Sequence, residues 1–195
     1  MLGSGAYGLA LALMVNKNTK EIEMWTKFEE EKNMLLEKRE NEKVLKGVKI
    51  PENINFTTDL NEVVTDASLI IIAVPTAFID SISKELKGIL KHNQHVCIAS
   101  KGIEQETCLF VQDIFYKYND NKNFAVISGP SFAVDIANMC PVGLSLATLN
   151  DDTEKIVKDA LESDLLKLRR TNDIIGVEIC GAIKNVIAIA SGMLD

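Results

Sequence analysis

Short apolar runs typical of β-strands alternate with longer segments of helical periodicity along most of the chain. A continuous apolar run such as residues 68–74 (SLIIIAV) is expected when helices cover both faces of a sheet. The alternation therefore predicts an α/β fold with a doubly wound, mostly parallel sheet. The predicted strands cover residues 21–25, 54–57, 68–74, 95–100, 124–128, 142–148 and 165–170, and the predicted helices cover 6–16, 28–42, 59–65, 76–90, 105–118, 132–139 and 152–163.

The end of the chain has a different pattern. Residues 173–194 form one long helical pattern in which only Asp173, Glu178 and Lys184 are charged. A helix this apolar is expected to be buried against other protein, either on the same chain or on a second subunit.

Charge and composition narrow the classes of function. The chain has 28 acidic and 21 basic residues and a net charge of −7, which disfavours nucleic acid as a partner. We find no apolar stretch of the roughly 18–20 residues that span a membrane, and no signal segment. We therefore expect a soluble, cytoplasmic protein that does not insert into membranes.

Cysteine and histidine carry little of the predicted chemistry. The four cysteines are far apart within apolar runs, so we expect buried, reduced thiols and no metal site. The two histidines lie in a short polar stretch, and we expect both at surface turns. These residues are Cys97, Cys108, Cys140, Cys180, His92 and His95.

A glycine-rich segment opens the chain. Gly3–Gly8 (GSGAYG) fits the G-x-G-x-x-G pattern and precedes a helical run, after only two residues of an upstream strand. In a Rossmann-like fold such glycines allow a tight turn, a close approach to a pyrophosphate and close packing of helix on strand. A plain glycine turn before an ordinary helix is the alternative. The next predicted strand is followed by Thr26 and Lys27 instead of an acidic residue that binds a ribose 2′-hydroxyl. Lysine could accept a 2′-phosphate, so both NAD and NADP are candidates.

Other candidate residues follow later predicted strands, where ligands of such sheets bind. Lys101 would bring an ammonium to this edge, although a surface lysine is the alternative. Gly129 and Ser131 lie in a turn that could bind an anion, although Ser131 could simply cap a helix. Lys184 interrupts the most apolar helix, next to small residues such as Gly181. It is either a lysine suited to proton transfer or one whose ammonium reaches solvent from a buried stem.

Together these segments resemble the NAD(P)-dependent glycerol-3-phosphate dehydrogenases of the bacterial type. The matching segments are GSGAYGLALA, DASLIIIAVPT, ASKGIE, ISGPSFA and IIGVEICGAIKNVIAIASGM, and they occur in the family's order over the whole chain. The resemblance implies hydride transfer between NAD(P)H and dihydroxyacetone phosphate, or back from sn-glycerol 3-phosphate. It also implies a role in supplying glycerol 3-phosphate to phospholipid synthesis.

The resemblance also implies roles for individual residues. Lys184 would be the catalytic lysine, which exchanges a proton with the oxygen on C2. The substrate would be bound by Lys101, Gly129, Ser131, Lys184 and Asn185. The cofactor would be bound by Gly3, Ser4, Gly5, Ala6, Tyr7, Gly8, Lys27, Lys101 and Ala133.

The resemblance divides the chain into two parts. Residues 1–171 would be the NAD(P)-binding Rossmann domain, with its first strand largely missing, and residues 172–195 the first helix of an all-α C-terminal domain. The rest of that domain is absent, so we expect the chain by itself to be inactive or nearly so. A homodimer is one further possibility. Two alternatives stay open, namely another dehydrogenase of the hydroxy-acid or 6-phosphogluconate type and a non-catalytic dinucleotide-binding module.

Overall fold

The computed structural model describes residues 1–19 and 21–194, and these form a mostly parallel sheet covered by helices on both faces. Strands β1 and β2 pair with each other, and β3 to β7 pair in the order β3-β4-β5-β6-β7. Only the β5–β6 pairing is antiparallel among the pairings of the described strands. The strands are β1 (Ile22–Trp25), β2 (Ile54–Thr57), β3 (Leu69–Ile72), β4 (His95–Ile98), β5 (Phe124–Ser128), β6 (Val142–Thr148) and β7 (Leu166–Thr171).

The first residues of the chain join the two groups of strands. Leu2 forms parallel bridges to Trp25 on one side and to Ile72 on the other. Its backbone N–H donates to the Ile71 carbonyl at 2.8 Å, and its carbonyl accepts from the Ala73 N–H at 2.8 Å. Leu2 thus occupies the centre of the sheet, and the glycine-rich segment leaves the sheet directly after it.

The helices alternate with the strands, so the predicted α/β class with a doubly wound, mostly parallel sheet is confirmed. The predicted helix over 105–118 is too long, because residues 105–110 form a turn. In that turn the Glu104 carboxylate accepts the Thr107 N–H at 2.7 Å, and Cys108 adopts a left-handed φ of 57°. The helices are α1 (Ala6–Val15), α2 (Glu29–Lys38), α3 (Leu60–Thr65), α4 (Ile79–Leu86), α5 (Val111–Tyr116), α6 (Ala133–Ala137), α7 (Asp151–Leu161) and α8 (Ile174–Gly192), with a 3₁₀ turn at Thr76–Phe78 before α4.

Two apolar cores lie on opposite faces of the sheet, because successive side chains of a strand point to opposite sides. Ile71 of β3 contributes to the core that contains α1, α2, α6 and α7. Its neighbours Ile70 and Ile72 contribute to the core that contains α3, α4, α5 and the start of α8. Both faces are therefore covered, which accounts for the continuous apolar strands.

Helix α8 bears on two expectations. Within the described residues only Val177, Glu178 and Gly181 of this helix are buried, so the protein that is expected to cover the rest of the helix is not supplied by residues 1–19 or 21–194. Its beginning packs on β5 and β6, and its later turns extend beyond the sheet. By length and composition α8 could also cross a membrane, with a mean hydropathy of 1.7 over an 18-residue window that is 11% buried. The expectation that no apolar stretch is long enough for a span is therefore wrong for α8, although both of its charged side chains, Glu178 and Lys184, contact protein groups.

The expectations for cysteine and histidine are partly wrong. Cys97 in β4 is buried, whereas the other three cysteines are exposed: Cys108 in the turn before α5, Cys140 before β6 and Cys180 on the open face of α8. His92 is exposed as expected. His95 is buried as the first residue of β4, and its Nδ1 lies 2.9 Å from the Thr153 hydroxyl of α7. Burial lowers the pKa of His95.

Candidate functional site

A cleft of about 790 Å³ lies at the carboxyl ends of the parallel strands. The segments that follow Leu2, β1, β3, β4 and β5 meet here, because parallel strands all end at this edge. Helix α8 closes one side. The sequence-predicted residues that line the cleft are Gly3, Ser4, Gly5, Ala6, Tyr7, Lys27, Lys101, Ser131, Ala133, Lys184 and Asn185.

The two remaining predicted residues, Gly8 and Gly129, lie directly behind the residues that line the cleft. Gly8 packs against the glycine turn, because a Cβ built on it would lie 2.1 Å from the Gly3 carbonyl oxygen. The Gly129 carbonyl accepts a hydrogen bond from Lys101 at 3.0 Å. The fold therefore brings all the predicted site residues together around one cleft.

The glycine-rich segment forms a cradle at the start of α1. A Cβ on Gly5 would meet no atom of the described residues within 4 Å, whereas one on Gly3 or Gly8 would collide with backbone. Gly5 is the N-cap of α1, and no side chain caps the helix. Space over Gly5 and an uncapped helix N-terminus are the features that accept a pyrophosphate in dinucleotide-binding folds. The residues present here fit such a group.

A polar cluster connects this segment with the turn after β5. The Lys101 ammonium donates to the Gly129 carbonyl at 3.0 Å and to the Ser131 hydroxyl at 3.1 Å. It also lies 4.5 Å from the centre of the Tyr7 ring, and the Tyr7 and Ser131 hydroxyls are hydrogen-bonded at 3.1 Å. Lys101 is therefore more than a surface lysine, since its ammonium is held inside the cleft.

Ser131 does not cap a helix. Helix α6 begins at Ala133 with Phe132 as its N-cap, and no side chain caps it. The buried Ser131 hydroxyl is instead used by Tyr7 and Lys101. The alternative of plain helix capping is wrong, because the chain remains extended at Phe132 before it turns into the helix.

Burial and like charge set the ionisation of this cluster. Desolvation and, to a smaller extent, the charge of Lys184 together lower the pKa of Lys101 to about 8. Burial raises the pKa of Tyr7, so its hydroxyl stays protonated near neutral pH. Two lysines thus share the cleft, and one of them can lose its proton in mildly alkaline solution.

Lys184 reaches the cleft from the middle of α8. Its ammonium lies 5.2 Å from the centre of the Phe132 ring, and its neighbour Asn185 also lines the cleft. The helix approaches the sheet closely at Gly181, where a Cβ would lie 2.5 Å from the Ser128 hydroxyl. One turn earlier, the buried Glu178 accepts the Gln112 N–H at 3.0 Å.

Sequence reasoning missed the positions of two residues near Lys184. The first is Glu178, which does not line the cleft; burial raises its pKa to about 7, and its second carboxylate oxygen is buried without a hydrogen-bond partner among the described residues. Phe132 was within the matched GPSFA segment, but nothing in the pattern indicated that its ring would face Lys184. Within residues 1–19 and 21–194, no group of three or more His, Cys, Asp or Glu side chains is placed to hold a metal ion.

The end of the cleft next to β1 contains a carboxylate that the sequence did not predict there. Lys27 is exposed, and its ammonium lies 5.8 Å from the centre of the Phe78 ring. No acidic residue follows β1 directly, but the Glu31 carboxylate of α2 folds back and accepts a hydrogen bond from the Thr26 hydroxyl at 2.5 Å. A carboxylate is therefore present at this strand end although the local sequence lacks one.

Known proteins share this sequence and this fold. Residues 1–154 match the family model described as the NAD-dependent glycerol-3-phosphate dehydrogenase N-terminus, and residues 173–195 match the model of the C-terminus of the same enzymes. A glycerol-3-phosphate dehydrogenase [NAD(P)+] from Agathobacter rectalis is 33% identical over the whole chain. The chain spans 58% of the length of that relative.

Two solved structures of glycerol-3-phosphate dehydrogenases superimpose closely on the chain. The enzyme from Plasmodium falciparum gives a TM-score of 0.89 at 28% identity, over 98% of this chain and 57% of that one. The enzyme from Coxiella burnetii gives a TM-score of 0.88 at 26% identity, over 98% of this chain and 58% of that one.

Proposed function

The chain belongs to the NAD-dependent glycerol-3-phosphate dehydrogenase family, and we propose that it supplies the cofactor site and the catalytic lysine of such an oxidoreductase. The reaction is hydride transfer between NAD(P)H and dihydroxyacetone phosphate, which yields sn-glycerol 3-phosphate, or its reverse. We propose phospholipid synthesis as the use of that product. One observation carries the proposal: Lys101 and Lys184, from different elements, line the same cleft as the glycine-rich segment.

The glycine-rich segment would hold the cofactor's pyrophosphate. The open space over Gly5 admits the phosphates, and the uncapped N-terminus of α1 offers N–H donors and a positive dipole end. When bound, the nicotinamide supplies or removes the hydride at C2 of the substrate. Ala6, Tyr7 and Ala133 line the wall between this segment and the lysines, which suits them to contact the cofactor.

Lys101 and Ser131 would hold the anionic substrate. The Lys101 ammonium is oriented by the Gly129 carbonyl and the Ser131 hydroxyl, so its position does not depend on the substrate. A preorganised ammonium in a partly desolvated cleft attracts a phosphate or a polarised carbonyl more strongly than one in water. Space at Gly129 is tight, because a Cβ on it would lie 3.0 Å from the Gly143 carbonyl oxygen.

Lys184 would exchange the proton on the C2 oxygen. As the carbonyl is reduced, negative charge develops on that oxygen, and an ammonium can stabilise the charge and then donate its proton. Asn185, the next residue on α8, offers an amide to the same cleft.

We also propose that the exposed apolar face of α8 contacts protein and not lipid, either further residues of the same protein or a second subunit in a homodimer, and that the protein is cytoplasmic. Its apolar residues include Ile183, Val186 and Ile187, and such a continuous patch marks an interface. Lys184 lies on the same helix and lines the same cleft as Lys101 and Ser131, which supports a water-exposed setting.

The test compares Lys184→Ala with Lys122→Ala, a charge-matched change at an exposed lysine outside the cleft. In the full-length protein, we expect Lys184→Ala to lower kcat for dihydroxyacetone phosphate by about 10²- to 10⁴-fold. Binding of NADH, followed by its fluorescence, should change little in either variant. Full activity of Lys184→Ala would refute the catalytic role. A wild-type protein that binds NADH but never reduces the substrate would instead be a non-catalytic dinucleotide-binding module.

A further inference from the structure

The cleft extends to the end of β1, where the proposed dinucleotide would place its adenosine ribose. Thr26 follows the strand and is 2% exposed, and Lys27 comes next and is exposed. Helix α2 then begins at Glu29, so its first turn lies beside the strand end. Glu31 belongs to this turn, and its side chain lines the cleft.

The carboxylate of Glu31 is held in place by two buried residues. One oxygen accepts the Thr26 hydroxyl at 2.5 Å, and the other accepts the Asn41 amide at 3.5 Å. Asn41 is only 3% exposed, so both anchors belong to the packed part of the domain. A fixed carboxylate therefore stands at the strand end, where an acidic residue binds a free ribose 2′-hydroxyl in related folds.

The surrounding charges favour a neutral ribose over a 2′-phosphate. Apart from Lys101 and Lys184, the charged side chains that line the cleft are Glu31, Glu85 and Lys27. Lys27 stays beside the Phe78 ring, and no ion pair within 4.0 Å links it to Glu31 in the part of the chain that the structure describes. A 2′-phosphate would bring more than one negative charge next to a fixed carboxylate.

We infer that Glu31, positioned by Thr26 and Asn41, accepts a hydrogen bond from the adenosine 2′-hydroxyl and makes the protein select NAD(H) over NADP(H). This inference rests on the proposed function, because it assumes that a dinucleotide binds the glycine-rich segment. It assigns the choice of cofactor to Glu31 on α2, and not to Lys27 at the strand end.

The experiment measures the dissociation constants of NADH and NADPH for the chain by calorimetry. Wild type is compared with Glu31→Gln and with Glu30→Gln, a neighbouring variant that removes the same charge from an exposed side chain outside the cleft. The glutamine oxygen can still accept the Thr26 hydroxyl, so the local structure should survive, which thermal unfolding would verify. We expect wild type to bind NADH about tenfold or more tightly than NADPH, since a hydrogen bond to a charged group has that effect.

Glu31→Gln should reduce this preference about tenfold, because it weakens NADH binding and relieves repulsion of NADPH, whereas Glu30→Gln should leave the ratio unchanged. Tighter binding of NADPH by wild type, or an unchanged ratio in Glu31→Gln, would overturn the inference and leave the proposed function standing. If neither nucleotide binds to folded wild type, the proposed function fails and the inference falls with it.

Discussion

Helices α1 and α8 are the two most apolar helices of the described chain, and their environments are opposite. Every residue of α1 from Gly8 to Val15 is buried, since the sheet, α6 and α7 surround the helix. In α8 only Val177, Glu178 and Gly181 are buried, while most of its isoleucines are exposed. The charged Glu178 therefore lies inside the protein, and apolar side chains on the same helix face solvent.

This contrast shows that apolar composition does not by itself decide which residues are buried. Helix α1 is held in place by the apolar residues that surround it. This packing also holds the glycine turn at the start of the helix in position. Helix α8 is attached mainly through its first two turns, and Gly181 and Glu178 provide close contact and a hydrogen bond there. The position of Lys184 in the cleft therefore depends on a few polar and small residues more than on the isoleucines.

The largest loss of stability and of NADH binding is expected for a variant of the glycine-rich segment. The Cβ of Gly8→Ala would lie 2.1 Å from the Gly3 carbonyl oxygen, so the turn must move. We expect a loss of stability of about 3 kcal/mol, measured by urea unfolding, and no detectable NADH binding. Gly5→Ala is the matched control, because its Cβ meets no protein atom within 4 Å. It should unfold like wild type but bind NADH more weakly; unchanged NADH binding by Gly5→Ala would contradict the placement of the pyrophosphate.

A variant of Glu178 in α8 is expected to gain stability, by an intermediate amount. Burial raises the pKa of Glu178 to about 7, so the folded state holds this proton more tightly than the unfolded chain, where the pKa is 4.5. The stabilisation is present below pH 4.5 and is lost as the pH rises to about 7. Above that pH, Glu178→Gln should be more stable than wild type by about 1–3 kcal/mol, and near pH 4 the two should agree.

Urea unfolding from pH 4 to pH 8 would measure this difference for Glu178→Gln. The control is Glu37→Gln on the exposed side of α2, which removes the same charge and should shift stability by less than about 0.5 kcal/mol. If the stability difference between Glu178→Gln and wild type does not vary with pH, then ionisation of Glu178 does not destabilise the folded protein and the prediction is wrong.

The smallest effect is a pH dependence of substrate affinity, which is expected to come from Lys101. This residue lies between the two helices, beside Tyr7 of α1 and Lys184 of α8. Its pKa of about 8 means that the ammonium is lost as the pH rises through that value. The affinity of the protein for sn-glycerol 3-phosphate should therefore fall about tenfold from pH 7 to pH 9, whereas Lys101→Arg stays charged and should bind equally at both. Direct binding measurements would check this, and a wild-type affinity independent of pH would exclude Lys101 as a substrate ligand.

Much of the fold could be predicted from sequence, because strand and helix periodicities are local properties. The alternation of elements and the sheet class followed from runs such as residues 68–74. The start of α5 could not be predicted so well, because Glu104 forms a turn through its own side chain where helical residue types continue. The burial of His95 was also missed, since it depends on the distant Thr153 of α7.

The candidate site divides in the same way. The glycine-rich segment, Lys101 and Lys184 could be identified from sequence, because each lies within a segment whose spacing or surroundings mark it. The positions of Glu178 at the start of α8 and of Glu31 in the cleft could not, because they arise from contacts with Gln112 and Thr26 that the fold creates.

Sequence alone determined the class of the sheet and most of the candidate residues of the cleft, since both depend on local pattern and residue type. The tertiary structure decided that Lys101 and Lys184 share one cleft, that a carboxylate returns to the end of β1, and that α8 leaves its isoleucines exposed. The physical reason is that burial, desolvation and charge–charge interactions depend on which distant segments pack together. An apolar helix such as α1 or α8 specifies a surface to be covered, but only packing determines which of its side chains are covered.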